Sequence, residues 1–277
     1  MMKKLLSVLM VALVGTMVMA QEPAKISGEL GFDIHTAYFR NGIMQENQGV
    51  IAQPYLNLSY RLWDNKEKDA VVKNVRVVGS WWNSLHSEDD FWYESDMSIG
   101  LRSDVGKFTF GFDYVNELSP ANNFGTVNEL DFTVMYNDKE IWKNTILNQL
   151  PNFSGFRPYA LFGLEVGDNG RGGAGPGEYF EIGVKPEITF TNAICGKPLT
   201  VGFPVRTTWG FDDYYGVDSG NEWGYLGFGP TLSIPLTPSL TFNTSLDVLI
   251  LGDGAETFAP NGDSPQYVGK IGLVWKF

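Results

Sequence analysis

The sequence predicts an all-β fold, a transmembrane up-and-down antiparallel β-barrel of about 12 strands. Segments in which apolar and polar side chains alternate recur along the chain. After residue 20, no apolar run reaches the length of about 20 residues that a spanning helix requires. The last alternating segment ends at the aromatic Phe277. Because a membrane-spanning backbone must satisfy its hydrogen bonds internally, strands can cross a bilayer only in a closed barrel.

The composition excludes several other classes of protein. The chain has 277 residues, with 20 Lys+Arg against 32 Asp+Glu and a net charge of −12. This acidic excess argues against a nucleic-acid-binding protein, which neutralises phosphates with a basic surface. With 43% hydrophobic residues, the chain is too apolar for intrinsic disorder. The single Cys195 excludes an intramolecular disulfide and a cysteine-rich metal site.

Residues 1–20 have the form of a cleaved secretory signal peptide. Lys3 and Lys4 form the charged region, residues 5–14 are apolar, and a small residue, Ala20, ends the segment. The alternative, an N-terminal transmembrane anchor, is disfavoured because the apolar part is short. The expected organisation is therefore a signal peptide, 1–20, and an outer-membrane β-barrel domain, 21–277.

Twelve segments after the signal peptide alternate with a period of two. In the first, Ile26, Phe32 and Ile34 share one face, while Glu29 and Asp33 share the other. Single-chain bacterial barrels have an even number of strands, which twelve satisfies. The predicted strands lie within 26–38, 50–63, 74–81, 91–102, 108–114, 129–136, 156–165, 180–190, 199–209, 225–234, 240–250 and 267–277.

The connections alternate between short and long. Short turns lie near 64–73, 103–107, 192–198 and 236–239, and longer connections span 40–49, 83–90, 116–126, 166–178, 211–222 and 252–265. With both termini in the periplasm, the longer set faces outward. The segment 137–154 is the exception, since it is long on the periplasmic side. It is expected to form an ordered turn over the barrel floor, with a short amphipathic helix or a plug as alternatives. Aromatic residues near the strand ends indicate interfacial girdles.

The inward faces are polar and charged, which predicts a lumen lined by ionisable groups. Such groups either line water or pair into a network that closes the lumen. Arg61, Arg76 and Arg102 fall on strands two to four and the acids Asp113, Glu129 and Asp131 on strands five and six, a separation that favours a field across a pore. The lumen-lining candidates are Glu29, Asp33, His35, Arg61, Arg76, Arg102, Asp113, Glu129, Asp131, Arg157 and Arg206.

Catalysis and cofactor binding are not expected. An outer-membrane lipid hydrolase needs a nucleophile and a base within hydrogen-bond reach. Of the two histidines, His35 is expected inside the lumen beside Asp33, and His86 in the second outer loop. The acidic outer loops lack the 12-residue calcium-loop spacing, so no metal site is assigned. Solvated charge within a lipopolysaccharide layer explains these loops more simply.

The first hairpin carries a resemblance to a known family. Thr36-Ala37-Tyr38-Phe39-Arg40-Asn41-Gly42-Ile43-Met44-Gln45 leads into Gln53-Pro54-Tyr55-Leu56-Asn57-Leu58-Ser59-Tyr60. This stretch resembles the opening of the TorF-type porins, in which an aromatic-Arg-Gly-Ile-x-Gln stretch ends the first strand. Asn41 is an insertion relative to that pattern. The resemblance covers about a tenth of the chain and implies a porin-like outer-membrane protein.

The sequence is therefore interpreted as a bacterial outer-membrane porin-like protein, a passive diffusion channel for small polar solutes. The alternatives are a closed structural or surface-binding barrel and, third, a lipid hydrolase. The expected partners are outer-membrane lipids, lipopolysaccharide, small polar solutes and the barrel assembly machinery, for which a terminal strand ending in Phe277 resembles the assembly signal of such barrels.

Overall fold

The structure is a computed structural model that describes residues 25–67, 70–88, 90–173, 175–216 and 220–277. The expected signal peptide, 1–20, lies outside the described residues. The fold is a closed barrel of twelve antiparallel spanning strands, which confirms the predicted fold class. No helix in the described ranges is long and apolar enough to cross a membrane.

The described ranges contain seventeen strand segments, of which fifteen form the barrel and two form a small separate hairpin. In chain order they are β1 (Ile26–His35), β2 (Tyr38–Arg40), β3 (Ile43–Glu46), β4 (Ile51–Asp64), β5 (Val72–His86), β6 (Trp92–Val105), β7 (Phe108–Leu118), β8 (Val127–Tyr136), β9 (Tyr159–Val166), β10 (Glu178–Val184), β11 (Glu187–Ile194), β12 (Lys197–Gly202), β13 (Val205–Phe211), β14 (Glu222–Phe228), β15 (Thr231–Pro235), β16 (Leu240–Leu251) and β17 (Gln266–Lys276). Short helices span Lys139–Asn144, Ile146–Gln149, Asp253–Glu256 and Pro260–Gly262.

The barrel closes between its first and last strands. Leu30 of β1 lies opposite Leu56 of β4 on one side and opposite Trp275 of β17 on the other. β17 also pairs with β16 along ten register positions, from Leu240 opposite Trp275 to Leu249 opposite Gln266. Closure removes the free edges of the first and last strands, as a sheet that crosses a bilayer requires.

Three neighbouring spanning strands are each interrupted by a proline. Pro186 separates β10 from β11, Pro204 separates β12 from β13, and Pro230 separates β14 from β15. Proline has no backbone N–H to donate to a strand ladder, so pairing lapses at these positions. Each pair of segments acts as one spanning strand, in agreement with the predicted count of twelve.

The two faces of the wall differ as the alternation predicted. Outward side chains are apolar and exposed, for example Ile99, which is 62% exposed, and the aromatic pair Phe112 and Phe132, whose ring centroids lie 5.1 Å apart. Inward side chains are polar, and many are buried, such as Glu129 with 0% exposure. An apolar outer band over a polar interior is the pattern of a barrel surrounded by lipid.

The long turn 137–158 is organised by Asp138. Its carboxylate accepts hydrogen bonds from Trp142 Nε1 at 2.7 Å and from the backbone N–H groups of Phe156 and Arg157 at 3.2 and 2.9 Å. The residues after the two short helices then lie along β11, where Thr189 N donates to Pro151 O at 3.0 Å. The segment expected to cover the barrel floor thus pairs with the β11 edge, while its Ile146 stays exposed.

Candidate functional site

The lumen has two halves of different character. We call the end that holds Phe277 and the β4–β5 turn the inner end, and the opposite end, where the β2–β3 hairpin lies, the outer end. The inner half contains a cavity of about 930 Å³. The outer half is filled by side chains of the wall and by connecting segments that fold into the barrel.

The cavity reaches from the middle of the barrel to its inner end. Arg40 and Asp96 lie at its closed outer limit, and Lys276 and Phe277 lie at the inner end. Between them most of the lining side chains are polar, with serines and asparagine among charged groups, and a few, such as Val78 and Trp82, are apolar. The charged residues that line it are Glu29, Arg40, Arg76, Asp96, Arg102, Asp113, Asp131 and Lys276.

Arginines of the inner half pair with acids beside them. Arg102 makes two contacts with Asp113 of the neighbouring strand, at 2.9 and 2.6 Å. Arg76 lies 3.6 Å from Asp104, and Arg61 lies 3.4 Å from Asp64 of its own strand. Basic and acidic residues were expected on separate parts of the wall. The pairing reduces that separation, because adjacent strands bring their inward side chains within reach of each other.

Six inward carboxylates lie close together on strands β6 to β9, toward the outer half of the wall, and we call them the carboxylate cluster. It arises from register: Asp96 of β6 lies opposite Glu117 of β7, and Glu129 of β8 lies opposite Glu165 of β9. Alternation directs all of them inward, so their charges accumulate on four neighbouring strands. The members are Glu94, Asp96, Glu117, Glu129, Asp131 and Glu165.

Two arginines from connecting segments enter the carboxylate cluster. Arg40, from the β2–β3 hairpin, lies 2.6 Å from Asp96 and also pairs with Glu117. The hairpin turns at Asn41 and Gly42, which have φ of 50° and 91°, a left-handed conformation suited to glycine and asparagine. Arg171, from the β9–β10 connection, pairs with Glu117 and is buried.

Both arginines lie in segments that were expected to be outer connections, so neither was among the predicted lumen residues. The run of inward acids on β6 to β9 could have indicated that such arginines enter the lumen, because buried carboxylates require a cationic partner.

Tyrosines and aliphatic side chains fill the rest of the outer half. Tyr179 donates to Glu129 at 3.0 Å and to Asp131 at 3.1 Å. Asn41 of the hairpin donates to Tyr214 at 2.8 Å, and Tyr215 donates to the Asn41 carbonyl oxygen at 2.8 Å. These contacts join the hairpin to the β13–β14 connection. We call the assembly of the β2–β3 hairpin, Arg171, Tyr214, Tyr215 and the helix Asp253–Glu256 the plug.

The remaining predicted lumen residues lie on the inner surface of the wall or at its rim. Asp33 lies 3.3 Å from Lys270, Glu29 accepts from Asn57 at 2.9 Å, and Arg206 pairs with Asp247 at 2.5 Å. His35 lies opposite Lys270 in the register. Arg157 was expected within a strand, but it precedes β9, has φ of 51° and pairs with Glu187 at 3.1 Å.

His86 differs from its predicted place in an outer loop. It is the last residue of β5 and is 1% exposed. Its Nε2 lies 2.8 Å from Ser84 Oγ, its Nδ1 lies 3.7 Å from a Glu46 carboxylate oxygen, and its ring stacks on Tyr93 at 4.4 Å. Ser84, His86 and Glu46 thus stand in the order of the nucleophile, base and acid of a catalytic triad. Ser84, however, is 0% exposed and faces inward, away from the lipid-facing surface that an outer-membrane lipase uses.

Comparison with known proteins supports the fold. The sequence matches no family model and no curated protein. Among solved structures, an outer membrane channel from Pseudomonas putida F1 has a TM-score of 0.50 at 10% identity, over 93% of this chain and 97% of that one. The NanC porin has a TM-score of 0.47 at 10% identity, over 91% and 100%. At this identity, the first similarity shows the fold alone, a barrel of the bacterial outer-membrane type.

Proposed function

We propose that this protein is a porin-like channel of the bacterial outer membrane that lets small polar solutes pass by passive diffusion, without a cofactor or a catalytic step. The observation that carries the proposal is the cavity of about 930 Å³, which reaches Lys276 and Phe277 at the inner end and is lined largely by charged and hydroxyl groups. Such a wall stays hydrated, because charged groups are costly to bury without partners or water.

The plug closes the outer half of this path in the conformation described here. Glu117, Glu129 and Tyr214 have exposed fractions of 1% or less, so the described side chains are closely packed at their level. Conduction therefore requires the plug to move. The hairpin is the part best suited to move, because β2 and β3 pair with each other and, among the described residues, with no strand of the wall.

Planar-bilayer recording of the purified protein tests the proposal. The wild type is expected to show rare openings. A variant in which residues 38–46 are replaced by a Gly-Ser linker is expected to open often, and a further variant that also shortens 252–265 should conduct most. Circular dichroism and cooperative unfolding serve as checks that each barrel is intact. If no variant with an intact barrel shows single-channel steps, the channel proposal is wrong.

The second candidate is a closed barrel with a structural or surface-binding role. The packed plug favours it, since Tyr214 contacts Tyr179 and Tyr215 with ring centroids 5.2 and 5.1 Å apart. Such packing stabilises one conformation. Absence of conductance in all three proteins is the result that this candidate requires.

The location and partners follow from the same proposal. We propose outer-membrane lipids and lipopolysaccharide as the surroundings of the apolar band, and the barrel assembly machinery as the partner that reads the strand ending in Phe277. The resemblance to TorF-type porins lies in the hairpin of the plug and is consistent with a channel. A lipid hydrolase remains the third candidate. Release of fatty acid from dispersed phospholipid, abolished by His86→Ala, would favour it over the channel.

A further inference from the structure

Three members of the carboxylate cluster form a compact set of oxygen ligands. Glu94, Asp96 and Glu117 each place one carboxylate oxygen within 4.8 Å of the others, and all three side chains are buried. Glu94 and Asp96 are two residues apart on β6 and so point to the same side, while Glu117 lies directly across from Asp96 on β7. The strand register thus holds the set in place.

Glu94 lacks the hydrogen bonds that a buried carboxylate requires. It is 1% exposed, and neither of its carboxylate oxygens accepts a hydrogen bond from any described residue. Its nearest cation is Arg171, whose Nη1 lies 3.9 Å from Oε1, beyond hydrogen-bond distance. Asp96 Oδ1 is also buried without a hydrogen bond among the described residues. Buried polar atoms without partners are rare and often indicate an ion or water.

The charges of the cluster do not balance. Its six carboxylates, Glu94, Asp96, Glu117, Glu129, Asp131 and Glu165, face the two guanidinium groups of Arg40 and Arg171. Six negative charges against two positive ones leave an excess of four when all are ionised. Isolated charges in a buried site carry a large desolvation cost, so further positive charge stabilises the cluster even beside the arginines.

We propose that Glu94, Asp96 and Glu117 bind one calcium ion. Ca²⁺ takes carboxylate oxygens at about 2.3–2.6 Å, so three carboxylate oxygens within 4.8 Å of one another can all reach one ion. Mg²⁺ loses its waters reluctantly and usually keeps several of them, so a buried set of protein ligands suits it less well. Asp96 also lines the cavity, which provides a path for the ion from the inner end.

Calcium-dependent unfolding and direct binding test the inference. The full-length protein is freed of calcium with a chelator in detergent without lipopolysaccharide and then titrated with CaCl₂, with MgCl₂ in parallel. The midpoint of thermal unfolding is expected to rise with Ca²⁺, with half-saturation at about 10⁻⁴–10⁻³ M, and to respond less to Mg²⁺. Isothermal titration calorimetry should give about one site per chain.

Two variants separate this site from calcium bound elsewhere. Glu94→Gln keeps the shape of the side chain and removes one charged ligand, so it should weaken Ca²⁺ binding by about 10-fold or more. Glu29→Gln removes a carboxylate from the far end of the same cavity and should bind Ca²⁺ as the wild type does. The inference is overturned if the wild type shows no calcium response, or if Glu94→Gln responds as the wild type does. A stabilisation by acid alone would show that protons, and not calcium, balance the cluster.

Discussion

Arg171 and Glu117 are 54 positions apart in the sequence and form an ion pair inside the barrel. Their side chains are 5% and 1% exposed. Arg171 comes from a connection between strands, whereas Glu117 belongs to the wall, so this pair fastens the plug to the barrel. Removing one partner of a pair this deeply buried destabilises the protein, because the remaining charge keeps its desolvation penalty without a compensating partner.

Replacing the arginine of this pair should destabilise the protein. Arg171→Ala is expected to lower the free energy of unfolding by about 3–5 kcal/mol, because it leaves Glu117 buried without this partner. Urea unfolding in detergent, followed by tryptophan fluorescence, measures the change. Lys143→Ala is the control: Lys143 pairs with Glu140 on the surface, where both side chains are more than half exposed. If both variants lose the same free energy of unfolding, burial of the pair between Arg171 and Glu117 does not increase its contribution to stability.

Removing Arg102 should change the ion selectivity of the open channel. In the variant with a Gly-Ser linker in place of residues 38–46, Arg102→Ala leaves the carboxylate of Asp113 without its ion-pair partner in the cavity wall. The reversal potential in a KCl gradient should shift toward that of potassium. Arg61→Ala should have a smaller effect, because Arg61 is not part of the cavity wall and pairs with Asp64 of its own strand. If both substitutions shift the reversal potential equally, Arg102 does not determine the ion selectivity.

Gly163 leaves space for the ring of Tyr179, which lies on the part of the wall that faces the plug. A Cβ atom at this position would lie 2.0 Å from Tyr179 Cε1, so Gly163→Ala must displace the ring from Glu129 and Asp131. We expect a loss of about 1–3 kcal/mol in the free energy of unfolding. Gly79→Ala is the control, since its Cβ would come no closer than 3.5 Å to a neighbouring atom. If Gly163→Ala is as stable as that control, the ring is not held as described.

Asp138 should make the long turn sensitive to acid. Burial opposes ionisation, but hydrogen bonds from Trp142 and from the backbone of Arg157 and Phe156 outweigh it and lower the pKa of Asp138. A lowered pKa stabilises the folded state above the unfolded value of about 3.9, and this stabilisation is lost as the pH falls through the folded pKa. The difference in urea midpoint between wild type and Asp138→Asn should be constant above about pH 5 and shrink below about pH 4.

Asp64→Asn is the matched control for this effect. Asp64 lies at the same end of the barrel and is partly exposed, with Arg61 as its ion-pair partner. Because this ion pair is partly exposed, Asp64→Asn should change the urea midpoint at neutral pH by less than Asp138→Asn does. A difference between wild type and Asp138→Asn that persists unchanged at low pH would mean that the carboxylate charge does not hold the turn.

The sequence by itself determined the wall of the barrel. Alternation is a local property, because successive side chains of a strand point to opposite faces. It was therefore enough to predict twelve spanning strands and to direct residues such as Glu129 and Arg102 inward. Even the proline breaks at Pro186, Pro204 and Pro230 left the alternation readable on both sides.

Only the tertiary structure decided what fills the lumen. Arg40 and Arg171 lie in connections whose sequence has no period, and their partners are set by contacts between residues more than 50 positions apart. The same holds for Asn41 and Tyr214, which are 173 positions apart. Closing the barrel brings these segments to one place, and the desolvation cost of the carboxylates then selects the arginines as partners. The face of the wall to which each strand side chain points is thus encoded locally, whereas the closure of the lumen depends on the assembled barrel.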